Sequence, residues 1–171
     1  MNGIIDPYEA VARGYITNTS LENIQPNSID LTVASLYTIN GPLVLFADKK
    51  NKRQLPQYNL ISKTFNYDGV EMYKLDPGVR YQIEFRERLK LPSDVCGITL
   101  VRSTMAKSGC TGENGLFDSG YEGATGMMVS VQAESFIEVG ASIAQMIFFG
   151  ASASKMYDGF YQKSISPLDW K

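Results

Sequence analysis

Three short stretches set polar side chains and glycines into otherwise apolar sequence, and they hold the residues equipped for chemistry. The first is Arg102-Ser103-Thr104-Met105-Ala106-Lys107-Ser108-Gly109. Ser103 as N-cap and Gly109 as stop predict a short helix near 103–108, whose first turn exposes unpaired N–H groups and a partial positive charge. With Arg102 and Lys107 alongside, this is a candidate polyphosphate cradle. The same residues also suit a capped surface helix with routine charges. The second stretch is Gly115-Leu116-Phe117-Asp118-Ser119-Gly120-Tyr121-Glu122-Gly123. Its glycines predict a tight turn that brings backbone close to something. Asp118 follows two apolar residues, which predicts a partly buried carboxylate able to act as general base for water. Tyr121 can present its ring to a sugar, and Glu122 is a weaker base candidate. A hairpin turn whose aspartate satisfies backbone amides is the alternative. The third stretch, Ser142 to Phe148, carries Gln145 as a lone amide in an apolar strand. A buried amide must find a partner in protein, water or ligand.

The chain has no histidine. Ser-His-Asp triads, Cys-His dyads and histidine-bound metals are therefore excluded within it, and chemistry falls to carboxylates, lysine, tyrosine, hydroxyls, backbone amides or a borrowed ion. Two cysteines, Cys96 and Cys110, are too few for a disulfide framework or a four-thiolate zinc site, and they read as reduced structural thiols. The length of 171 residues fits one domain, 1–171, with a tail over about 163–171 expected to be flexible. A net charge of −2 argues against a nucleic-acid partner. No apolar run approaches the ~18–20 residues of a membrane span, and the start lacks the pattern of a signal peptide. The expected compartment is the cytoplasm.

These residues need a scaffold, and the patterning is mainly β. Asp6, Pro7, Glu9 and Gly14 mark a short N-terminal helix with a cap, a first-turn proline, a capping-box acid and a stop. From Gln25 on, Ile29, Leu31 and Val33 alternate with Asp30 and Thr32. Val79, Tyr81, Ile83 and Phe85 alternate with Arg80, Gln82 and Glu84. Met127, Val129, Val131 and Ala133 alternate with Met128, Ser130 and Gln132. Val95–Val101 reads as a strand buried on both faces, Ile143–Phe149 as another apolar run, and the basic stretch Lys49 to Arg53 as a solvated hairpin tip. Short strands broken by Gly, Pro and Asn predict a β-sandwich or jelly roll.

Taken in order, QPNSIDL at 25–31, RSTMAKSG at 102–109, GLFDSGYEG at 115–123, SIAQMIF at 142–148 and YDGFYQ at 157–162 resemble the dUTPase and dCTP deaminase superfamily. The resemblance spans residues 5 to 163. It implies a distorted jelly roll, homotrimers with active sites between subunits, a pyrimidine deoxynucleoside triphosphate as substrate, and Mg2+ riding on that triphosphate. In such a site Asp118 resembles the water-activating aspartate and Tyr121 the ring that packs on deoxyribose. Arg102, Ser103, Thr104 and Lys107 fall in the phosphate-contacting motif, Gln145 resembles the fourth-motif glutamine, and Tyr157 and Gln162 belong to the C-terminal substrate-binding motif. Asp30 resembles the aspartate that helps hold the metal's water shell.

The branch turns on one missing residue. The resemblance places a deaminase's catalytic glutamate ten residues beyond the motif aspartate, which here is Met128. Allowing two extra residues around Ala124-Thr125-Gly126 shifts the position to Ser130, and the next acid is Glu134. The hydrolase reading keeps its aspartate. The ending YDGFYQ resembles that of deaminases and archaeal-type dUTPases, with Phe160 where deaminases often carry Lys or Arg. The expectation is therefore a dUTPase of archaeal or viral style in which loop 111–117 reads the base. The alternatives are a dCTP deaminase, a bifunctional enzyme, hydrolysis of a related pyrimidine nucleotide, and a non-catalytic nucleotide-binding relative.

Overall fold

The computed structural model describes residues 3–48, 50, 52–63, 65–113 and 115–166. Helix α1 (Pro7–Ala12) begins where Asp6 accepts hydrogen bonds from the N–H groups of Tyr8 (2.8 Å) and Glu9 (3.2 Å). Glu9 turns to Arg13 in a 2.8 Å ion pair, and Gly14 ends the helix at a φ of 72°. The strands that follow are β1 (Ile16–Thr17), β2 (Ile29–Asn40), β3 (Gln57–Leu60), β4 (Phe65–Tyr67), β5 (Val70–Leu75), β6 (Arg80–Lys90) and β7 (Val95–Val101). After the short α2 (Ser103–Lys107) come β8 (Thr111–Glu113), β9 (Leu116–Phe117), β10 (Glu122–Ser130), β11 (Ser135–Glu138) and β12 (Ser142–Gly150). The main sheet runs β8-β10-β6-β2-β12-β7-β9, with β1 on β6 and β3 on β2, and a small sheet runs β11-β5-β4. Among the described residues these strands all pair antiparallel. The curled, jelly-roll-like β architecture with two short helices matches the expectation. No helix among the described residues is long and apolar enough to cross a membrane.

Three alternation patterns resolve differently. Asp30 and Thr32 are buried like their apolar neighbours, because β2 lies between β6 and β12 in the middle of the sheet. Glu84, expected on the polar face with Arg80 and Gln82, is also buried, under Tyr37 and Arg88, which bond its carboxylate at 3.1 and 3.2 Å. In β7, Val95, Gly97 and Thr99 are buried, Cys96 and Ile98 are half-buried and Leu100 is exposed. The face that carries Cys96, Ile98 and Leu100 is thus only partly covered in a single chain. β10 ends at Ser130, so Ala133 lies beyond the strand and is exposed. Of the basic turn, Lys49 and Asn51 lie outside the described residues, and Val44 and Gln54 pair across its base.

The core joins both sheets: Leu31, Phe85, Met146 and Phe148 from the large one meet Tyr73, Leu75 and Ile137 from the small one. Within it sits Glu87, which no pattern in the sequence announced. The residue is fully buried, and its carboxylate accepts from the N–H (2.9 Å) and hydroxyl (2.7 Å) of Thr32, while Thr125 donates to its carbonyl at 2.6 Å. Thr125 stands opposite a β-bulge: between the Ala124–Arg88 and Gly126–Glu84 pairs β10 has one residue and β6 has three, Glu87 among them. The irregularity falls where the sequence suggested extra residues, but the surplus is on β6.

Burial pushes the Glu87 carboxyl above its ordinary range, against the two Thr32 hydrogen bonds. The folded state therefore holds this proton more tightly than the unfolded one, and stability falls as pH rises from the ordinary glutamate range through the raised folded value. Glu87→Gln keeps the acceptor for the Thr32 N–H and removes that decline. Urea unfolding at about pH 4 and about pH 8 should show the variant gaining on wild type toward the higher pH. Glu87→Ala strands the Thr32 N–H and should lose about 2–4 kcal/mol.

Candidate active site

The candidate residues gather in two places at opposite ends of β7. At its C-terminal end, Arg102 is the N-cap residue of α2 and its N–H donates to the Ile143 carbonyl at 2.9 Å. Ser103 is therefore the first helical residue and not the cap, and no side chain caps this helix. The Arg102 guanidinium lies 3.3 Å from Asp30 Oδ2 and donates to the Ser142 carbonyl at 3.2 Å. Asp30 comes from β2 and Gln145 from β12, facing each other across the ladder. The Ser28 hydroxyl is 3.4 Å from Gln145 Oε1. Gln25, Ser28, Asp30, Arg102, Ser103 and Gln145 line one cleft of about 390 Å3. Thr104 and Lys107 stand exposed on α2 and do not line it.

Asp30 sets the electrostatics of this cleft. It is 3% exposed, Oδ2 is taken by Arg102 and by Gln25 (3.2 Å), and Oδ1 has no partner. Burial raises its pKa, while Arg102 and then Gln25 pull it down. A buried carboxylate oxygen without a donor is costly, so this atom is the point of the cleft best suited to a hydrogen-bond donor or a hydrated cation.

At the other end, β9 pairs with β7 through Gly97 and Phe117, which places Asp118 beside the start of that strand. Asp118 is exposed and not partly buried as predicted, at the end of two-residue β9. Its carbonyl accepts from Tyr121 N–H at 3.0 Å, closing the turn. Tyr121 is 6% exposed, its hydroxyl donates to the Ala124 carbonyl at 2.6 Å, and burial raises its pKa. Its ring packs 5.3 Å from Phe117 and 5.5 Å from Tyr157. Asp118, Tyr121, Tyr157, Tyr58, Tyr161 and Gln82 bound an aromatic cavity of about 330 Å3. Asp118 and Tyr157 also form the wall of a wider cleft of about 530 Å3 that Cys96, Ser119 and Lys155 line from the far side.

The turn's glycines serve the C-terminal chain. A side chain at Gly120 would strike Met156 at 2.8 Å, and one at Gly123 would strike Ser164 at 2.6 Å. Ser164 is buried, bridges Gly123, and lies 3.2 Å from the Tyr121 hydroxyl. Gln162 joins this seam: Oε1 accepts from the Glu122 N–H (3.0 Å) and Nε2 donates to the Gly120 carbonyl (2.8 Å). Both ends of its amide are thus committed to the turn. Residues 167–171 of the expected tail, with Trp170, and Asn114 of the 111–117 loop lie outside the described residues. The sequence reading did not point to Tyr58, Gln82 and Lys155, while Tyr161 lies within its C-terminal motif. Residue type alone signals nothing for these three, which come from β3, β6 and the chain after β12.

Comparison with known proteins places this geometry. A model of the family described as dCTP deaminase-like matches residues 5–151. A protein of Methanosarcina barkeri named "Probable deoxyuridine 5'-triphosphate nucleotidohydrolase" is 34% identical over 143 residues, which are 81% of this chain and 80% of that protein. The deoxyuridine 5'-triphosphate nucleotidohydrolase of Methanocaldococcus jannaschii is 33% identical over 88% of this chain and 94% of its own. In fold, the crystal structure of the 2'-deoxycytidine 5'-triphosphate deaminase from Agrobacterium tumefaciens superposes with a TM-score of 0.65 at 18% identity. The match covers 89% of this chain and 49% of that longer one.

Removing Arg102 strands a buried charge. Arg102→Ala should lower unfolding stability by about 1–3 kcal/mol, below the full buried-pair range because the arginine is partly exposed. Adding Asp30→Asn should recover most of it, as read by denaturant midpoints of the single and double variants.

Proposed function

The chain belongs to the dCTP deaminase-like family, and within it we propose that this protein is a dUTP diphosphatase, splitting dUTP into dUMP and pyrophosphate. The observation that carries the reading is the acid content of the aromatic cavity: Asp118 is the one acid among its described lining residues. Strand β10 presents Ala124 and Gly126 to the cavity. At the two positions where a deaminase's glutamate was sought, Met128 pairs with Glu113 across the β8 ladder and the Ser130 hydroxyl bonds Thr111 at 2.8 Å. The names of the archaeal relatives support the same reaction.

Asp118 takes a proton from a water molecule as the water oxygen attacks the α-phosphorus. The bond from that phosphorus to the bridging oxygen breaks, and pyrophosphate leaves with the electron pair. Such a transfer needs positioning and charge stabilisation more than a covalent catalyst, and a chain without histidine can supply both. Exposure of Asp118 suits a base that must meet water. The buried Tyr121 ring, braced by Tyr157, is the flat wall against which a deoxyribose packs. Gln162 positions that wall through Gly120 and Glu122.

Arg102, Ser103 and Gln145, with Thr104 and Lys107 beside them, grip the phosphates. On one copy they are five residues of β7 away from the Gly97 pairing that holds Phe117, roughly 16 Å along the strand. The two clefts therefore complete each other between copies, which supports a homotrimer with sites at its seams. The partly covered face of β7 that carries Cys96, Ile98 and Leu100 agrees with such packing. Asp30 fits the Mg2+ that accompanies the triphosphate, since its unpartnered Oδ1 can accept from the ion's bound water. The bound ion offsets charge on the phosphate oxygens.

A panel of nucleoside triphosphates with Mg2+, scored for pyrophosphate and ammonia, tests the reading. Pyrophosphate from dUTP, with little from UTP, is the expected result, and ammonia from dCTP would overturn it. Asp118→Asn should bind dUTP normally and lose about 10²–10⁴ in kcat.

A further inference from the structure

We infer that Arg53 is a positioning residue for the aromatic cavity: stacked on Phe160, it latches the 44–54 hairpin to the segment 157–162 that walls the cavity beside Asp118. The hairpin places it. Val44 and Gln54 exchange two backbone hydrogen bonds of 2.8 and 3.0 Å, so the residue before Gln54 leaves a fixed base. From there the Arg53 guanidinium carbon lies 4.8 Å from the centroid of the Phe160 ring, within cation–π range. No ion pair engages Arg53 among the described residues, and besides the Phe160 ring its charge faces Tyr161.

The segment on the other side of the latch is tied down at its ends. The Tyr157 N–H donates to the Ser119 carbonyl at 2.8 Å, and Gln162 bonds Gly120 and Glu122. Between these anchors the chain crosses Asp158 and Gly159, both exposed, and the Tyr157 ring folds over Gly159 so closely that no side chain fits there. Phe160 meets Tyr161 edge-on at 5.8 Å, and the Tyr161 N–H donates to the Tyr157 hydroxyl at 3.2 Å. Tyr157 and Tyr161 both line the cavity. Arg53 thus reaches the cavity wall through Phe160 and Tyr161 without touching whatever occupies it. Its guanidinium is delocalised and weakly hydrated, which suits stacking on a ring.

The latch is a statement about the fold, while its effect on turnover rests on the dUTP reading. Arg53→Ala should raise amide exchange across 157–163 about two- to five-fold, the equilibrium equivalent of one partly exposed cation–π contact, and leave β6 amides unchanged. KM for dUTP should rise by a similar factor with kcat preserved, because Asp118 is untouched. Arg53→Lys, which keeps a cation over the ring, should restore most of the loss. Phe160→Leu should imitate Arg53→Ala, and the double variant should be no worse than either single one. Additive effects of the two substitutions, or unchanged exchange over 157–163 in Arg53→Ala, would overturn the latch. If wild type releases no pyrophosphate from dUTP, the dUTP reading fails, and the exchange and double-variant measurements still decide the latch.

Discussion

The candidate site depends on a seam between the Gly120–Gly123 turn and the chain's last described residues. The Tyr121 hydroxyl lies at its centre, 2.6 Å from the Ala124 carbonyl and 3.2 Å from Ser164. The Lys163 N–H donates to the Glu122 carbonyl at 2.7 Å, and the Ala124 N–H to the Ser164 carbonyl at 3.1 Å. A ring buried this way cannot swing, so it can serve as a wall. The same contacts bring Tyr157 and Tyr161, from the far end of the sequence, into the wall of the cavity that Asp118 also lines. Gly120 and Gly123 are the residues that let the backbones approach this closely.

A second constraint comes from the stiffness of β7. Its pairing with β12 runs unbroken from Val95 to Val101, so the Asp118 end and the Arg102 end cannot bend toward each other. The two clefts thus stay apart within one chain. The buried Asp30 belongs to the same division. Its Oδ2 pairs with Arg102 at the cleft, and its Oδ1 has no hydrogen-bond partner among the described residues. Burial and pairing act on it in opposite directions, which is how a site keeps a carboxylate both inside a protein and available.

Much of the fold was legible in the sequence. The Asp6 cap and the Gly14 stop act through adjacent backbone, so residue order alone decides them. The strands were legible because side chains alternate with a period of two, whereas the bulge on β6 opposite Thr125 was not, since register between strands is a matter of pairing. Faces were harder to read. Asp30, Thr32 and Glu84 are polar by type yet buried, because a strand's place within the sheet decides whether its second face is covered. Glu87 escaped altogether: a glutamate among charged neighbours reads as surface until Thr32 is seen across the ladder.

The order of the motifs was enough to identify the family, since that is a matter of residue type and spacing. Tertiary structure alone decided that Asp118 is open to solvent, that Gln162 holds the turn, that Tyr58 and Gln82 join the cavity, and that Arg53 lies on Phe160. Each of those facts depends on contacts between residues dozens of positions apart. Such contacts are settled by packing and by which strands become neighbours, and no local propensity encodes them.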